Sequence, residues 1–455
     1  MLKALPILIL ITLSSTLVLA QDSAKRATNF KEWIKQGERV GEARYYFMAT
    51  VNEKELTDYW ANTLGTYLSY RSPQFHGFQF KVSGRLVYNL GSSDLSAQDP
   101  IVGKTSRFEK QLVDARNPSN KLSFIGAEEL FLRYNFGNNY VKYGRMYLST
   151  PLFNSVDARM KPFVFQGLWS QLQVSKRLGV NLGWLNGASP WAHFQWYSIE
   201  DAIGQFGRGY NPDGSPSGYK GNLHTNGIAI AAITYDLGRH WDFQAFNYWM
   251  HNVDNSLFTQ TEYHNQGWTF GFQYLRQDRV GEGGNPDPAQ RYYHEGHQTN
   301  LISTQLAKNF GKLDLSLNYT HIFGSGRYTT PREFGFGRFY TGIARSRIEG
   351  LGDATSFLTR LKYYPLEDRS LVLGLDMAVI ITPGVDDLRL NKYKEESYEQ
   401  LNLDIKYKRE EWLKGVDFRF LYVTKVGLGE IDESPDVVFN KTNFHHFNLV
   451  TNIKF

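Results

Sequence analysis

The sequence predicts an all-β fold: a transmembrane antiparallel β-barrel of about eighteen strands with long extracellular loops. Three observations carry this fold class. Apolar and polar residues alternate with a period of two along the whole chain. The spacers between strand-length segments fall into a short and a long class that take turns. No apolar run beyond residue 20 is long enough to cross a bilayer as a helix.

Composition narrows the choice further. A chain of 455 residues has room for one large domain or two to three ordinary ones. It contains no cysteine, which excludes disulfide frameworks, thiolate zinc sites, Fe–S clusters and thiol nucleophiles. The net charge of +5 is the small difference between 50 basic and 45 acidic residues, too balanced for a nucleic-acid binder held by bulk charge. Basic character that matters must therefore be local.

Taken in chain order, residues 1–20 read as a cleaved secretory signal. Lys3 opens the segment, Leu5 to Ile11 form its apolar core, and Val18-Leu19-Ala20 ends it before polar Gln21-Asp22. That apolar core is shorter than the roughly 20 residues a spanning helix needs. Residues 21–42 form a short periplasmic segment, with helical spacing only over 30–38, and residues 43–455 form the barrel.

Strand alternation is sharpest at 78–83, 178–184, 268–274, 313–320 and 401–408; in the fourth of these, Leu313, Leu315, Leu317 and Tyr319 alternate with Asp314, Ser316, Asn318 and Thr320. The short spacers are 72–77, 137–139, 177–179, 236–240, 265–267, 309–312, 365–370 and 409–415. The long class is 52–60, 90–121, 149–167, 187–224, 252–255, 277–298, 324–355, 383–397 and 427–445, the fifth being exceptional in length. Eight short and nine long spacers in strict alternation require eighteen strands, the even number with both ends on the turn side that a barrel needs. The strands at 43–51 and 256–264 have the weakest patterns. The chain ends with Phe447, Leu449, Thr451, Ile453 and Phe455 on one face, an amphipathic last strand of the kind that barrel-assembly machinery reads, and 28 tyrosines are available for interfacial girdles.

The stretch from Tyr143 through Gly144-Arg145 to Gly167, with Thr150-Pro151, Asp157-Ala158-Arg159, Pro162 and Phe165-Gln166-Gly167 at their spacings, resembles the third-loop region of the OprD-type outer-membrane porins. Gly41-Glu42-Ala43-Arg44-Tyr45-Tyr46-Phe47, His76-Gly77-Phe78 and Ile348-Glu349-Gly350-Leu351-Gly352-Asp353 add to the resemblance, and the segment from Phe30 to Gly37 is similar to Bacteroidota-like members. The resemblance implies an eighteen-stranded channel, a third loop folded inward to narrow the pore, and a ladder of basic side chains guiding small carboxylate-bearing solutes. Its residue roles carry over to Arg145, Asp157 and Arg159 alone.

Strand parity gives further lumen candidates. Phe78, Phe80 and Val82 outward place Lys81, Ser83 and Arg85 inward; Phe357, Leu361 and Tyr363 outward place Arg360 and Lys362 inward; Phe418 and Phe420 outward place Asp417 and Arg419 inward. The expected substrate path is therefore Arg145, Asp157, Arg159, Arg85, Arg360 and Arg419, with Asp404 and Asp417 as balancing acids. Read singly, each of these is also an ordinary wet lumen residue paired with a carboxylate. Within the 149–167 loop, Pro151 and Pro162 restrict the backbone, and an outer loop would gain nothing by displaying Phe153, Phe163 and Phe165, so the loop is expected inside the barrel. Arg338, Arg345 and Arg347 read equally as an extracellular basic vestibule or a solvated loop, and His445-His446 as a strand end near the interface.

The expected function is a passive, substrate-selective outer-membrane porin for small polar, carboxylate-bearing solutes such as amino acids, peptides or organic acids. Its partners are outer-membrane lipid, anionic or zwitterionic solutes and the assembly machinery that reads the strand ending at Phe455, with no nucleic acid and no cofactor. Monomer and homo-oligomer both stay open, as do a general-diffusion porin, a barrel enzyme or adhesin, and a soluble secreted β-protein. The absence of a Gly-x-Ser-x-Gly elbow, of His-Glu-x-x-His and of calcium-loop spacing counts against an enzyme. The absence of a propeller-length repeat counts against a soluble β-protein.

Overall fold

The computed structural model describes residues 29–53, 55–408, 413–429 and 434–455. The signal segment at 1–20 and parts of the spacers 409–415 and 427–445 lie outside the described residues. A short helix, Phe30–Lys35, precedes the sheet.

Eighteen antiparallel strands follow. They are β1 Glu38–Asn52, β2 Tyr59–Arg71, β3 Phe78–Ser92, β4 in two pieces at Leu122–Ile125 and Leu130–Phe136, β5 Asn139–Met146, β6 Val164–Gln173, β7 Leu178–Ser189, β8 Ile228–Gly238 and β9 Trp241–Met250. The second half of the wall is β10 Asp254–Asn265, β11 Trp268–Arg279, β12 Thr299–Asn309, β13 Leu313–Ile322, β14 Ala354–Tyr363, β15 Leu371–Ile381, β16 Tyr398–Lys408, β17 Val416–Gly427 and β18 Phe444–Lys454. Each strand pairs with the next. β18 pairs with β1 in a register that sets Phe47 opposite Leu449, so the sheet closes and leaves no edge. Phe455 and Gly41 extend that seam by exchanging backbone hydrogen bonds of 2.8 and 2.9 Å.

Over its described residues each spacer contains a turn or loop, and both weakly patterned strands are present. Two details differ. β1 starts at Glu38, not at residue 43, because its ladder to β2 continues through polar residues as far as Glu38 opposite Arg71. β4 is interrupted between Ile125 and Leu130, where Glu128 and Glu129 are both buried although they are consecutive. A strand alternates faces, so two neighbouring inward side chains require such an irregularity.

The outer face is apolar. Leu68, Phe270, Phe272, Leu317, Phe357, Met377, Leu403, Leu449 and Ile453 are exposed on it, while Asn318, Asn402 and Asn448, on strands that carry Leu317, Leu403 and Leu449, are buried inside. This inversion of a water-soluble pattern is what lipid contact demands. Exposed Trp241, Trp268 and Tyr363 stand at strand ends on the turn side, where an interfacial girdle belongs.

The main hydrophobic core lies inside the barrel at its loop end. There the loops between β3 and β4 (L2), β5 and β6 (L3), β7 and β8 (L4) and β13 and β14 (L7) meet the inner wall. Phe153 of L3 packs edge-on against Tyr248 of β9 at 4.9 Å and against Phe334 of L7 at 5.4 Å. Phe163 stacks on Trp191 of L4 at 4.9 Å. Phe153, Phe163 and Phe165 are 3%, 0% and 0% exposed, the inward burial that the third loop's aromatic content calls for.

Candidate functional site

L3 leaves the wall at β5 and reaches β1 and β3 across the interior. Arg44 of β1 holds Asp157 through two hydrogen bonds of 2.6 Å and donates a third, also 2.6 Å, to the carbonyl of Arg159. Arg85 of β3 donates to the carbonyl of Met160 at 2.9 Å and is itself paired with Glu128. A guanidinium suits this task because its planar fork can satisfy a carboxylate and a carbonyl together. The Asp157 side chain remains 46% exposed. Enclosure opposes its charge, yet Arg44 keeps this carboxyl below the usual carboxylate range.

The root of L3 is pinned differently. Lys161 is fully buried and donates to the carbonyls of Pro162, Ser189 and Pro190 at 3.2, 3.0 and 2.9 Å. Burial pushes this ammonium down to about 7, while Glu128 works in the opposite direction.

L7 also folds into the barrel and runs along its inner wall. Tyr340 donates to Glu262 of β10 at 2.8 Å, Thr341 to Thr320 of β13 at 2.7 Å, and the Gly342 carbonyl accepts from Arg360 of β14 at 2.8 Å. Farther along, the Ala344 carbonyl accepts from Gln400 of β16 at 2.7 Å and Arg345 reaches His446 of β18 at 2.7 Å. Arg345 and Arg347 are thus lumen residues, not an extracellular vestibule. Their loop is anchored by strand residues that no local pattern links to it. His446 is likewise wholly buried on the inner face, whereas His445 stacks outside on Tyr422.

Five of the six expected path residues face the interior. Arg360 pairs with Asp376 directly across β14–β15 at 2.8 Å, and Arg419 pairs with Asp404 at 2.7 Å. Asp417 accepts from Asn452, which in turn accepts from Arg44, each at 2.6 Å, so the row continues around the seam to Asp157. Arg145 does not join it. Its register partner is Leu130, on the outward face with Tyr143, and its guanidinium lies 4.4 Å from the ring of Trp196. The parity of β5 decides this, since Met146 beside it is the buried, inward residue. Arg159 is inside but only 2% exposed: it donates to Gln111 of L2 at 3.1 Å and stands over Trp191 at 4.7 Å. The same indole has Arg347 at 5.6 Å, and Arg347 also lies 4.2 Å from Phe336.

The stretch of wall from β10 to β13 carries amides and hydroxyls over its middle. Gln273 donates to Gln260 and Gln305 to Asn318, both at 2.8 Å, and Ser303 shares a hydrogen bond of 2.8 Å with Thr320. Inward guanidinium groups on β1, β3, β14 and β17 thus share the inner face with this stretch of amides and hydroxyls, which borders β14 where Ser316 lies in register with Arg360 and which carries Glu262 as an inward acid. Sequence reading missed Arg44 and His446 as lumen residues. Arg44 shares its face with Tyr46 and Met48, whose apolar side chains imitate a lipid-facing set; they are inward and pack against L2. Among the described residues no group of three or more potential metal ligands occurs.

No family model and no curated protein matches the sequence. Solved structures match its fold. The chain is similar to OccD3 (OpdP) of Pseudomonas aeruginosa, with 14% identity over 93% of this chain and 92% of that one, at a TM-score of 0.68. It is similar to OccAB4 of Acinetobacter baumannii, with 12% identity over 92% and 98% and a TM-score of 0.71. It is also similar to Pseudomonas aeruginosa OpdK, crystallised with vanillate, with 12% identity over 93% and 99% and a TM-score of 0.69. OpdK is described as an outer membrane protein. The described residues thus have the closed eighteen-stranded architecture of these proteins.

Proposed function

We propose that this chain is a substrate-selective outer-membrane porin through which small polar solutes, carboxylate-bearing ones in preference, pass passively. The observation that carries the reading is the row of inward guanidinium groups, Arg360, Arg419 and Arg44, running toward the narrowing made by L3 and L7. Such a row draws a carboxylate along the wall while the amides and hydroxyls of β10 to β13 tolerate the rest of the solute. Asp376, Asp404 and Asp417 lie beside the row and keep each rung's affinity modest, which throughput requires. With Lys362, Lys406, Lys408 and Lys425 on the same parity, six basic groups stand against three acidic ones on the inner face of β14 to β17. The vanillate bound to OpdK is a small carboxylate, which supports the same class here. In this reading residues 1–20 are removed on export, the strand ending at Phe455 is read by the assembly machinery, and the protein is no enzyme.

The test is the reversal potential across a KCl gradient in planar bilayers. The native pore should prefer chloride, and Arg360→Gln with Arg419→Gln should shift that preference toward potassium. Native preference for potassium, left unmoved by the double change, would make the barrel a general-diffusion porin.

A further inference from the structure

Arg345, like Arg159 and Arg347, differs from the acid-paired arginines of the wall. Among the described residues no carboxylate lies within ion-pair distance of it, although Arg360, Arg419, Arg44 and Arg85 each have one. Its backbone φ of +71° is a left-handed conformation that a branched-chain or long side chain rarely adopts, and such conformations persist only where the surroundings hold them.

What holds it is a buried chain of hydrogen bonds. The Nε–H of Arg345 donates to Nε2 of His446 at 2.7 Å. Nδ1 of that ring is 2.8 Å from Oγ1 of Thr50 on β1. The Thr50 hydroxyl donates to Glu109 of L2 at 2.5 Å, and Ser106 donates to the other Glu109 oxygen at 2.6 Å. Ser106, Glu109, Thr50 and His446 are all 0% exposed. The protons run in one direction only. Arginine has no acceptor, so His446 must accept at Nε2 and carry its own proton on Nδ1. That proton goes to Thr50, which leaves the threonine proton for Glu109. The far side of the guanidinium donates to Asn448 and to the Tyr46 hydroxyl.

We infer that Ser106, Glu109, Thr50 and His446 form a positioning relay that fixes the guanidinium of Arg345 in the lumen as the specificity-determining contact for a solute carboxylate. The inference rests on the reading of the barrel as an anion-preferring channel. Arg345 meets the solute; the other four act through it. A guanidinium whose direct partners, His446, Asn448 and Tyr46, are neutral keeps most of its charge uncompensated and loses little freedom when an anion arrives.

The mature protein in planar bilayers provides the test, with benzoate as the probe and the concentration that half-blocks the chloride current as the readout. Folding is checked by heat-modifiable migration. Thr50→Val removes both hydrogen bonds at the centre of the relay and should raise the half-blocking concentration roughly tenfold, the cost of one lost buried hydrogen bond. Thr50→Ser should restore it, and His446→Gln, whose amide can accept from Arg345 and donate to Thr50, should stay close to native while His446→Leu fails. A merely structural role would not separate these pairs. If Thr50→Val does not fold, Glu109→Gln, which turns one acceptor into a donor, gives the same comparison. Native block in Thr50→Val or Glu109→Gln, with block lost in Arg345→Ala, overturns the relay. Native block in Arg345→Ala, with anion preference still lost on changing Arg360 and Arg419, overturns the role of Arg345 alone. If none of these arginines matters, the channel reading itself fails.

Discussion

Replacing Arg44 by alanine should loosen the tip of L3 without unfolding the barrel. Arg44 makes three hydrogen bonds of 2.6 Å to this loop, two to the Asp157 carboxylate and one to the Arg159 carbonyl. A buried charge-assisted pair would contribute about 1.5–3 kcal/mol per bond. Asp157 is nearly half exposed, so its pair is discounted to about 1 kcal/mol, and the buried bond to the carbonyl adds roughly 1–2 kcal/mol. The sum, about 2–3 kcal/mol, shifts the balance between docked and undocked tips by roughly 30- to 150-fold. The root of the loop stays in place because Phe153, Phe163 and Phe165 are buried in the core and Lys161 is held by three carbonyls. Single-channel recording should therefore show larger or noisier openings in Arg44→Ala than in the native pore. Asp157→Asn should reproduce part of the effect and add little to it, because both changes remove one interaction. Conductance and noise identical to native in Arg44→Ala would refute the claim that this contact holds the narrowing.

Three further outcomes are expected. Glu128→Gln leaves Arg85 buried without its carboxylate and should cost about 3–5 kcal/mol, seen as a lower temperature at which the folded barrel band is lost on gels. Gly144 has φ +129°, and a Cβ there would meet the Leu130 carbonyl oxygen at 2.2 Å, so Gly144→Ala should lower the yield of folded barrel on refolding into detergent. The third concerns pH. Docking drops Lys161 from 10.5 to about 7, so between these values the undocked loop binds the extra proton, and raising the pH favours docking. Below about 7 both forms are charged and the dependence vanishes. Current noise in the native pore should fall between about pH 7 and pH 10, and Lys161→Met should abolish that slope while raising noise throughout, since it leaves three carbonyls without a donor.

Much of the architecture is legible in the chain because a membrane barrel writes it locally. Lipid contact selects every second residue, and the hydrogen-bonded ladder between neighbours leaves only turn and loop lengths to choose. Leu313 to Thr320 show their two faces without reference to any other segment. The same logic places Arg85, Arg360 and Arg419 inside, because their strands alternate cleanly. The inward third loop is legible for a related reason: Phe153, Phe163 and Phe165 need burial, and a loop above the membrane offers little.

What only the tertiary structure decides is where the loops lie, and through them which inner residues act. L7 carries Tyr328, Phe334, Phe336 and Phe339, which call for burial as the aromatics of L3 do, but nothing within it says that it is tied to five strands. The ties are single hydrogen bonds with Glu262, Thr320, Arg360, Gln400 and His446, 18 to 101 residues away. Loops that fill the lumen also make parts of the inner wall apolar, so Met48 and Tyr46 of β1 imitate lipid-facing residues and hide Arg44 beside them. Arg145 fails for the converse reason: β5 has no sharp alternation, and its face is set by pairing with Leu130. Alternation along a strand is a property of the residues themselves, so sequence determines the barrel; the docking of loops depends on contacts between distant segments, so the shape and charge of the passage exist only once the chain has closed.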